Sequence, residues 1–359
     1  MPMKKKILCA VLCAAGLCFA AEAFCRHCPW ALPDFINILR IKYSLMHRYT
    51  LRDDDVGCVV AADFHQVFKW RGRKVEIRNA PFPGQSRAGY RVDSRSLGLA
   101  HADIIALGDS FTSAVEVDQD STWASRLGAI SGLQVANLGV PGYGAAQEAE
   151  FFRRYGSKLR PRLVVVLLGS SEPSKNMAYR SWRLLNDRND PSHPELRYDR
   201  YMFCGSVGVS GGMCKGLEFA ARSGILPRLT LDWLLFRWKG MRMMNPESAY
   251  ADAGRQITYQ ALDDLRNQAA SQGAKFCVVT STFWEPLFPK SFHELTGFLR
   301  REGIPHLNLR LYKEYPGAKL RIPFDGHWNE LGHALAAAEI HRFLLRNKLI
   351  PARLARRHG

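Results

Sequence analysis

The chain has 359 residues, of which 47% are hydrophobic and 23% charged. This is the mixture of a globular protein, and it excludes a disordered or low-complexity chain. Lysine and arginine outnumber aspartate and glutamate by 50 to 33, a formal net charge of +17. Such an excess suits nucleic acid, an anionic membrane or a polyanionic glycan. No nucleic-acid-binding motif accompanies the excess positive charge. Two interpretations of this charge stay open: a solvated basic surface, and binding to an anionic surface of the cell envelope.

The N-terminus predicts export. Lys4, Lys5 and Lys6 precede an uncharged apolar run over residues 7–21, and small residues follow at a suitable cleavage point. The run is shorter than the roughly 20 residues that cross a bilayer. We therefore predict a cleaved signal peptide over residues 1–23, with an uncleaved anchor as the alternative. The mature protein would be periplasmic or secreted.

Nine cysteines are present, and six remain after residue 23: Cys25, Cys28, Cys58, Cys204, Cys214 and Cys277. An even number in an exported chain predicts disulfides. Cys204 and Cys214 flank a glycine-rich stretch, which favours a small bridged loop. Cys25 and Cys28 could form a redox pair or half of a metal site. No second Cys/His pair follows at ligand spacing, so we predict no metal.

Two regions with different patterns follow the signal. Residues 24–99 mix proline, glycine, arginine and aromatics and form a lead segment, with weak alternation at 65–70 and 73–78 that predicts a hairpin. Residues 100–348 form the main domain. An insertion at 176–250 is rich in tryptophan and arginine. Its basic tryptophan-rich stretch, residues 228–239, could be a substrate lid, a membrane-surface helix or a docked helix.

The main domain alternates short apolar runs with helical stretches. The runs are at residues 104–107, 134–137, 163–168, 276–280 and 306–309, and the helices at 121–131, 145–159, 250–272, 291–302 and 329–347. Uninterrupted apolar runs are typical of strands buried on both faces. Alternation with helices predicts right-handed parallel crossovers. The fold class is therefore α/β, a three-layer α/β/α sandwich with a flavodoxin-like parallel sheet.

Polar residues that could perform nucleophilic catalysis lie at two loops of this domain. Ser110 follows the first predicted strand, at the sheet edge where ligands bind in parallel α/β folds. Asp325 and His327 share a loop before the last helix, and a serine nucleophile needs such a base and a group to orient it. The alternatives are a helix cap after the strand and an Asn329 cap beside an ordinary surface Asp and His.

Three blocks of sequence resemble the SGNH (GDSL-type) hydrolases. Gly108-Asp-Ser-Phe111 resembles the first block, Asn137-Leu-Gly-Val-Pro-Gly-Tyr-Gly144 the second, and Asp325-Gly-His327 the last, with one residue fewer between Asp and His than in many members. The resemblance implies Ser110 as nucleophile, His327 as base and Asp325 as its partner. It also implies an oxyanion hole formed by the N–H groups of Ser110 and Gly142.

The third block departs from the family pattern Gly-x-Asn-Asp. Here it reads Gly169-Ser-Ser-Glu172, so Ser171 stands where the family has the asparagine that donates to the oxyanion. Ser171 or a water could substitute, Asn176 could reach in, or the enzyme could be weakened. Losing one such donor costs about 10²–10³ in rate.

Together these features predict serine-dependent hydrolysis of carboxylic esters, on a small-molecule, envelope glycan O-acyl or lipid ester. The alternatives are an O-acyl (acetyl) transferase acting on cell-envelope polysaccharide and a catalytically weakened glycan- or lipid-binding member. The α/β-hydrolase elbow Gly-x-Ser-x-Gly is excluded, because Thr112 stands at its last position. Phosphate-loop, dinucleotide and zinc-protease motifs are also missing, so no cofactor is predicted.

Overall fold

The computed structural model describes residues 3–28, 45, 48–70, 73–185, 249–281, 284–323 and 325–351. Most of the predicted insertion, including Cys204, Cys214 and the basic tryptophan-rich stretch, lies outside these residues. Among the described helices, none combines the length and the apolar character that a membrane crossing requires. The signal peptide and export stay predictions.

Ten strands are described. In chain order they are β1 (Thr50–Asp53), β2 (Gly57–Ala61), β3 (His65–Trp70), β4 (Arg73–Pro81), β5 (Ala88–Val92), β6 (Ile104–Gly108), β7 (Val135–Asn137), β8 (Leu163–Leu168), β9 (Lys275–Thr280) and β10 (His306–Asn308).

The described α-helices lie before, between and after these strands. They are α1 (Met3–His27), α2 (Ser110–Ser113), α3 (Trp123–Ser131), α4 (Ala145–Arg154), α5 (Glu172–Leu185), α6 (Ala249–Ser271), α7 (Trp284–Leu287), α8 (Pro289–Arg301), α9 (Leu311–Glu314) and α10 (Glu330–Arg346).

The five strands of the main domain form a parallel sheet in the order β7-β6-β8-β9-β10. Numbered within the domain, this is the order 2-1-3-4-5 of flavodoxin-like folds. The order reverses between β6 and β8, and the crevice at the carboxyl ends of these two strands is where such folds bind ligands. The predicted fold class is confirmed.

Both faces of the sheet are buried, which explains the apolar runs. Along β8, Val164 and Val166 join the hydrophobic cluster on one face, with α4, α6 and α8. Leu163 and Val165 join the cluster on the other face, with α3 and α10. A strand covered by helices on both sides has no solvent-facing positions, so its sequence does not alternate.

The lead segment is more regular than its composition indicated. Its five strands extend the sheet with antiparallel pairs, and β5 adjoins β7 where Arg91 pairs with Asn137. The predicted hairpin is β3–β4. Among the strands that were not predicted, β5 is buried along its whole length, so its sequence carries no alternating polar face.

Two of the six cysteines that the sequence analysis considered for disulfides form none in the structure. Cys28 and Cys277 are free thiols, and Cys277 is buried within β9. Burial raises the pKa of the Cys277 thiol far above its ordinary value, so this group is an inert apolar side chain. The Cys204–Cys214 bridge falls outside the described residues and stays a prediction.

Candidate active site

The turn after β6 places Ser110 at the sheet edge. The Asp109 carboxylate caps α2 by accepting the Phe111 N–H at 2.9 Å, and its carbonyl accepts the Thr112 N–H at 3.0 Å. Neither bond uses the Ser110 N–H. Gly108 has φ 148°, and a Cβ there would lie 2.2 Å from the Thr112 hydroxyl oxygen. The glycine is thus required for this sharp turn, and the helix cap and the half-buried Ser110 occur together.

The loop before α10 brings the predicted histidine and aspartate to that serine. His327 Nε2 lies 2.8 Å from Ser110 Oγ, and the other ring nitrogen contacts Asp325 Oδ1. Asp325 also accepts the His327 backbone N–H at 3.3 Å. Gly326 between them has φ 88°, and Asn329 caps α10 by accepting from Gly332. Because the carboxylate accepts from Nδ1, Nε2 is left as the acceptor for the serine hydroxyl.

A second histidine in the same region is buried in packing. His333 on α10 accepts the Trp123 N–H at 3.3 Å and meets the Trp328 ring edge-on. Burial, with the nearby charge of Arg91, lowers the pKa of His333 to about 3. It is therefore neutral at physiological pH, and its position is structural.

The structure adds a carboxylate that sequence reasoning missed. Glu116 Oε1 lies 3.6 Å from His327 Nδ1, and the Glu116 side chain is only 4% exposed. The available signal was a lone acid between two valines, Val115 and Val117, shortly after the serine. An acid in an apolar stretch is buried only when a partner compensates it.

The same groups include atoms that could ligate a metal. Ligand atoms of Glu116, Asp325 and His327 lie within 4.8 Å of one another. The contact between Asp325 and His327 Nδ1 already uses the atom that a metal would need, and a cation there would replace the proton that orients the base. These residues therefore fit a hydrogen-bonded catalytic group better than a metal site.

The second block packs against the nucleophile turn. Val140 donates to the Gly108 carbonyl at 3.0 Å, and Tyr143 N–H donates to the Val140 carbonyl at 3.2 Å. These bonds hold Gly142, with φ 84°, in the turn after β7. Gly139 lies so close that a Cβ there would be 2.2 Å from the Ser113 nitrogen. The predicted oxyanion glycine is thus on a loop tied to the carboxyl end of β6.

The third block lies at the carboxyl end of the neighbouring strand. Ser171 is half-buried in the turn between β8 and α5, and its carbonyl accepts the Lys175 N–H at 3.1 Å. Asn176 does not reach the site. Its Oδ1 accepts from Ala146 at 3.0 Å and its Nδ2 donates to the Thr258 hydroxyl at 2.7 Å. The alternative that Asn176 replaces the missing family residue is therefore wrong, because its amide links α4 to α6.

A buried charge cluster contacts the turn that carries Ser110. Lys175 Nζ lies 2.5 Å from Asp109 Oδ2 and 3.1 Å from Glu172 Oε1. Burial alone would lower the pKa of Lys175, but the carboxylates of Asp109 and Glu172 outweigh it and raise that pKa. Lys175 is therefore a fixed positive charge in contact with Asp109, the residue directly before Ser110.

Glu148 completes this cluster on α4. It is fully buried, and neither carboxyl oxygen has a hydrogen-bond partner among the described residues. Burial first, and then the charge of Glu172, raises the pKa of Glu148 well above its ordinary value. Glu172 has Lys175 and the Ala145 N–H as donors, so Glu148 is the member that stays protonated.

The strand order, the serine after the first parallel strand and the Asp-His pair before the last helix are what the resemblance to SGNH hydrolases implies. The chain has a flavodoxin-like α/β fold. No protein-family model and no curated protein matches the sequence. The resemblance to SGNH hydrolases therefore rests on the strand order and on the placement of the sequence motifs.

Several solved structures resemble it at low identity. A putative lipolytic protein of the G-D-S-L family from Desulfitobacterium hafniense is 12% identical, covers 67% of this chain and 98% of its own, and has a TM-score of 0.39. TesA is 15% identical, with 69% and 99% covered and a TM-score of 0.40. A catalytic mutant of Axe2, an acetylxylan esterase from Geobacillus stearothermophilus, is 10% identical, with 68% and 94% covered and a TM-score of 0.36.

Proposed function

We propose that the chain is a serine-dependent hydrolase of carboxylic esters. The observation that supports this most directly is the hydrogen-bonded line from Ser110 Oγ to His327 Nε2, at 2.8 Å, and from His327 Nδ1 to Asp325. A serine hydroxyl is a weak nucleophile until an oriented base removes its proton. In this line Ser110 is the nucleophile, His327 the base and Asp325 the group that fixes the tautomer.

The reaction follows from these positions. As Ser110 Oγ bonds to the ester carbonyl carbon, its proton moves to His327 Nε2 and the carbonyl electrons become an oxyanion. The N–H groups of Ser110 and Gly142, with the Ser171 hydroxyl, are the proposed donors to that charge. Collapse breaks the bond to the alcohol, which takes the proton from His327. A water activated by the same histidine then hydrolyses the acyl-enzyme and regenerates Ser110.

For the substrate we propose an ester of the cell envelope, either an O-acylated glycan or a lipid. The support is the predicted export signal together with the net charge of +17, which suits an anionic surface. If a sugar hydroxyl rather than water received the acyl group, the same residues would perform transfer. Product analysis distinguishes the two, because hydrolysis releases free acid whereas transfer yields a new ester.

The experiment is labelling with a fluorophosphonate probe and turnover of p-nitrophenyl esters of increasing chain length. Ser110→Ala should abolish labelling and lower kcat by as much as about 10⁶-fold. His327→Gln should lose labelling as well. The matched controls are Ser157→Ala and His306→Gln, which alter residues outside the site. Retained hydrolysis in Ser110→Ala rejects the proposal, and glycan or lipid binding without labelling of the wild type favours the weakened binding member.

A further inference from the structure

The loop after the nucleophile helix holds a carboxylate in a fixed position. Glu116 lies two residues after Ala114, whose φ of 49° turns the chain back from α2. The buried guanidinium of Arg91, on β5, donates to the carbonyls of Ala114 and Val117, the latter at 2.7 Å. Because these bonds lie on both sides of Glu116, its backbone is set by the sheet and by the nucleophile turn together.

This carboxylate meets the same ring nitrogen as Asp325. Glu116 Oε1 is 3.6 Å from His327 Nδ1, which also contacts Asp325 Oδ1, while Nε2 faces Ser110. The Glu116 and Asp325 side chains are each only 4% exposed. Water therefore screens little of their interaction with the ring.

The chemistry gives such a second carboxylate a use. When the Ser110 proton moves to Nε2, His327 becomes a cation, and a nearby negative charge stabilises that cation far more than the neutral ring. The stabilisation therefore appears in the transition state rather than in substrate binding. We propose that Glu116 is a positioning residue that, together with Asp325, stabilises the His327 cation. When the Asp325 charge is lost, the Glu116 carboxylate accepts the hydrogen bond that the His327 Nδ1–H donates. This inference rests on the proposed serine hydrolysis.

A purely structural role must be distinguished from this one. Three charged or titratable groups surround His327: Glu116 on the loop after α2, Asp325 on the same loop as His327, and His333 on α10. The Arg91 guanidinium lies on the far side of Glu116. As a mere counter-charge for Arg91, Glu116 would be replaceable by aspartate. Glu116→Asp keeps the charge but withdraws the carboxylate by one methylene from the ring. The two roles therefore predict opposite results for this variant.

The test is the pH dependence of kcat for p-nitrophenyl acetate in wild type, Glu116→Gln, Glu116→Asp, Asp325→Asn and the Glu116→Gln/Asp325→Asn double variant. We expect Glu116→Gln to lower kcat about fivefold with little change in KM, and about 10²-fold in the Asp325→Asn background. The acid limb of the kcat profile should move to lower pH, and Glu116→Asp should behave like Glu116→Gln. Equal costs of Glu116→Gln in the two backgrounds, or a wild-type profile for Glu116→Asp, would overturn the inference.

Two further measurements separate this inference from the proposed function. Fluorophosphonate labelling of wild type tests the function itself. If wild type reacts and Glu116→Gln reacts equally fast, only the role of Glu116 is refuted. Nitrogen-15 NMR titration of His327, with buried His333 as the internal reference, reads the ring directly. Its titration midpoint should fall in Glu116→Asp, and an unchanged midpoint refutes the role, even where Glu116→Gln fails to fold.

Discussion

Lys175 Nζ lies 2.5 Å from Asp109 Oδ2, so a buried ion pair ties helix α5 to the residue directly before Ser110. Asp109 in turn caps helix α2 by accepting the Phe111 N–H. The pair therefore connects the third sequence block to the first. It also leaves two carboxylates, Asp109 and Glu172, dependent on one ammonium group.

Lys175→Met should destabilise the protein by about 3–5 kcal/mol, because it leaves buried carboxylates without their partner. Urea unfolding followed by circular dichroism measures this. The control is Lys158→Met, at an exposed lysine, which should change the unfolding free energy by less than about 0.5 kcal/mol. A loss below about 1 kcal/mol for Lys175→Met would show that Asp109 and Glu172 do not depend on this charge.

Glu148→Gln should become more stable relative to wild type as pH rises. The pKa of Glu148 is raised in the folded protein, so the folded state holds a proton that the unfolded state releases above about pH 4.5. Wild type therefore loses up to about 1.4 kcal/mol per pH unit from that point upward until the folded group ionises, and the glutamine variant does not.

The measurement is the unfolding free energy of both proteins between about pH 4.5 and pH 8. Glu150→Gln, on the same helix, is the matched control. Hydrogen bonds from Arg153 and Arg154 outweigh partial burial and lower the pKa of Glu150, so its contribution has the opposite sign. A pH-independent difference between wild type and Glu148→Gln would mean that Glu148 is ionised in the folded protein.

Ser171→Ala should lower kcat by about 10-fold to 10²-fold if its hydroxyl donates to the oxyanion, somewhat less than the usual loss because a short hydroxyl aligns poorly. KM should change little, since the bond strengthens only as charge develops. Ser171→Asn restores the family residue and should raise kcat where the pocket has room. Steady-state kinetics decide the matter, and unchanged kcat in both variants removes Ser171 from the oxyanion hole.

His333→Gln should keep most of the activity but change acid stability. The folded pKa of His333 is about 3, below the ordinary 6.5, so the folded state takes up this proton only at lower pH than the unfolded state. Wild type thus loses stability as pH falls from about 6.5 to 3, by up to about 4–5 kcal/mol, and the variant lacks this loss. Glutamine still offers an oxygen to the Trp123 N–H. An activity loss like that of His327→Gln would instead make His333 the base.

The sequence predicted the parallel strands closely because burial on both faces leaves an unmistakable apolar run, as in Leu163–Leu168. It predicted a serine and an Asp-His loop at the sheet edge from their positions after a strand and before a helix. It did not predict β5, because Gly89 and Arg91 interrupt its apolar character. Arg91 is buried there only because backbone carbonyls from a distant loop satisfy it. Glu116 was missed for the same reason, since its partner lies far along the chain.

The guanidinium of Arg91 has a consequence for how this protein can be divided. It belongs to the lead segment, yet the carbonyls that it holds belong to the turn carrying the proposed nucleophile and its neighbouring acid. A chain shortened to begin at residue 100 would keep Ser110, Asp325 and His327. It would lose the hydrogen bonds from Arg91 that hold the turn after Ser110. Residues 100–348 alone therefore lack contacts that hold this turn, and an exchange of segments with another protein would need its crossover upstream of β1.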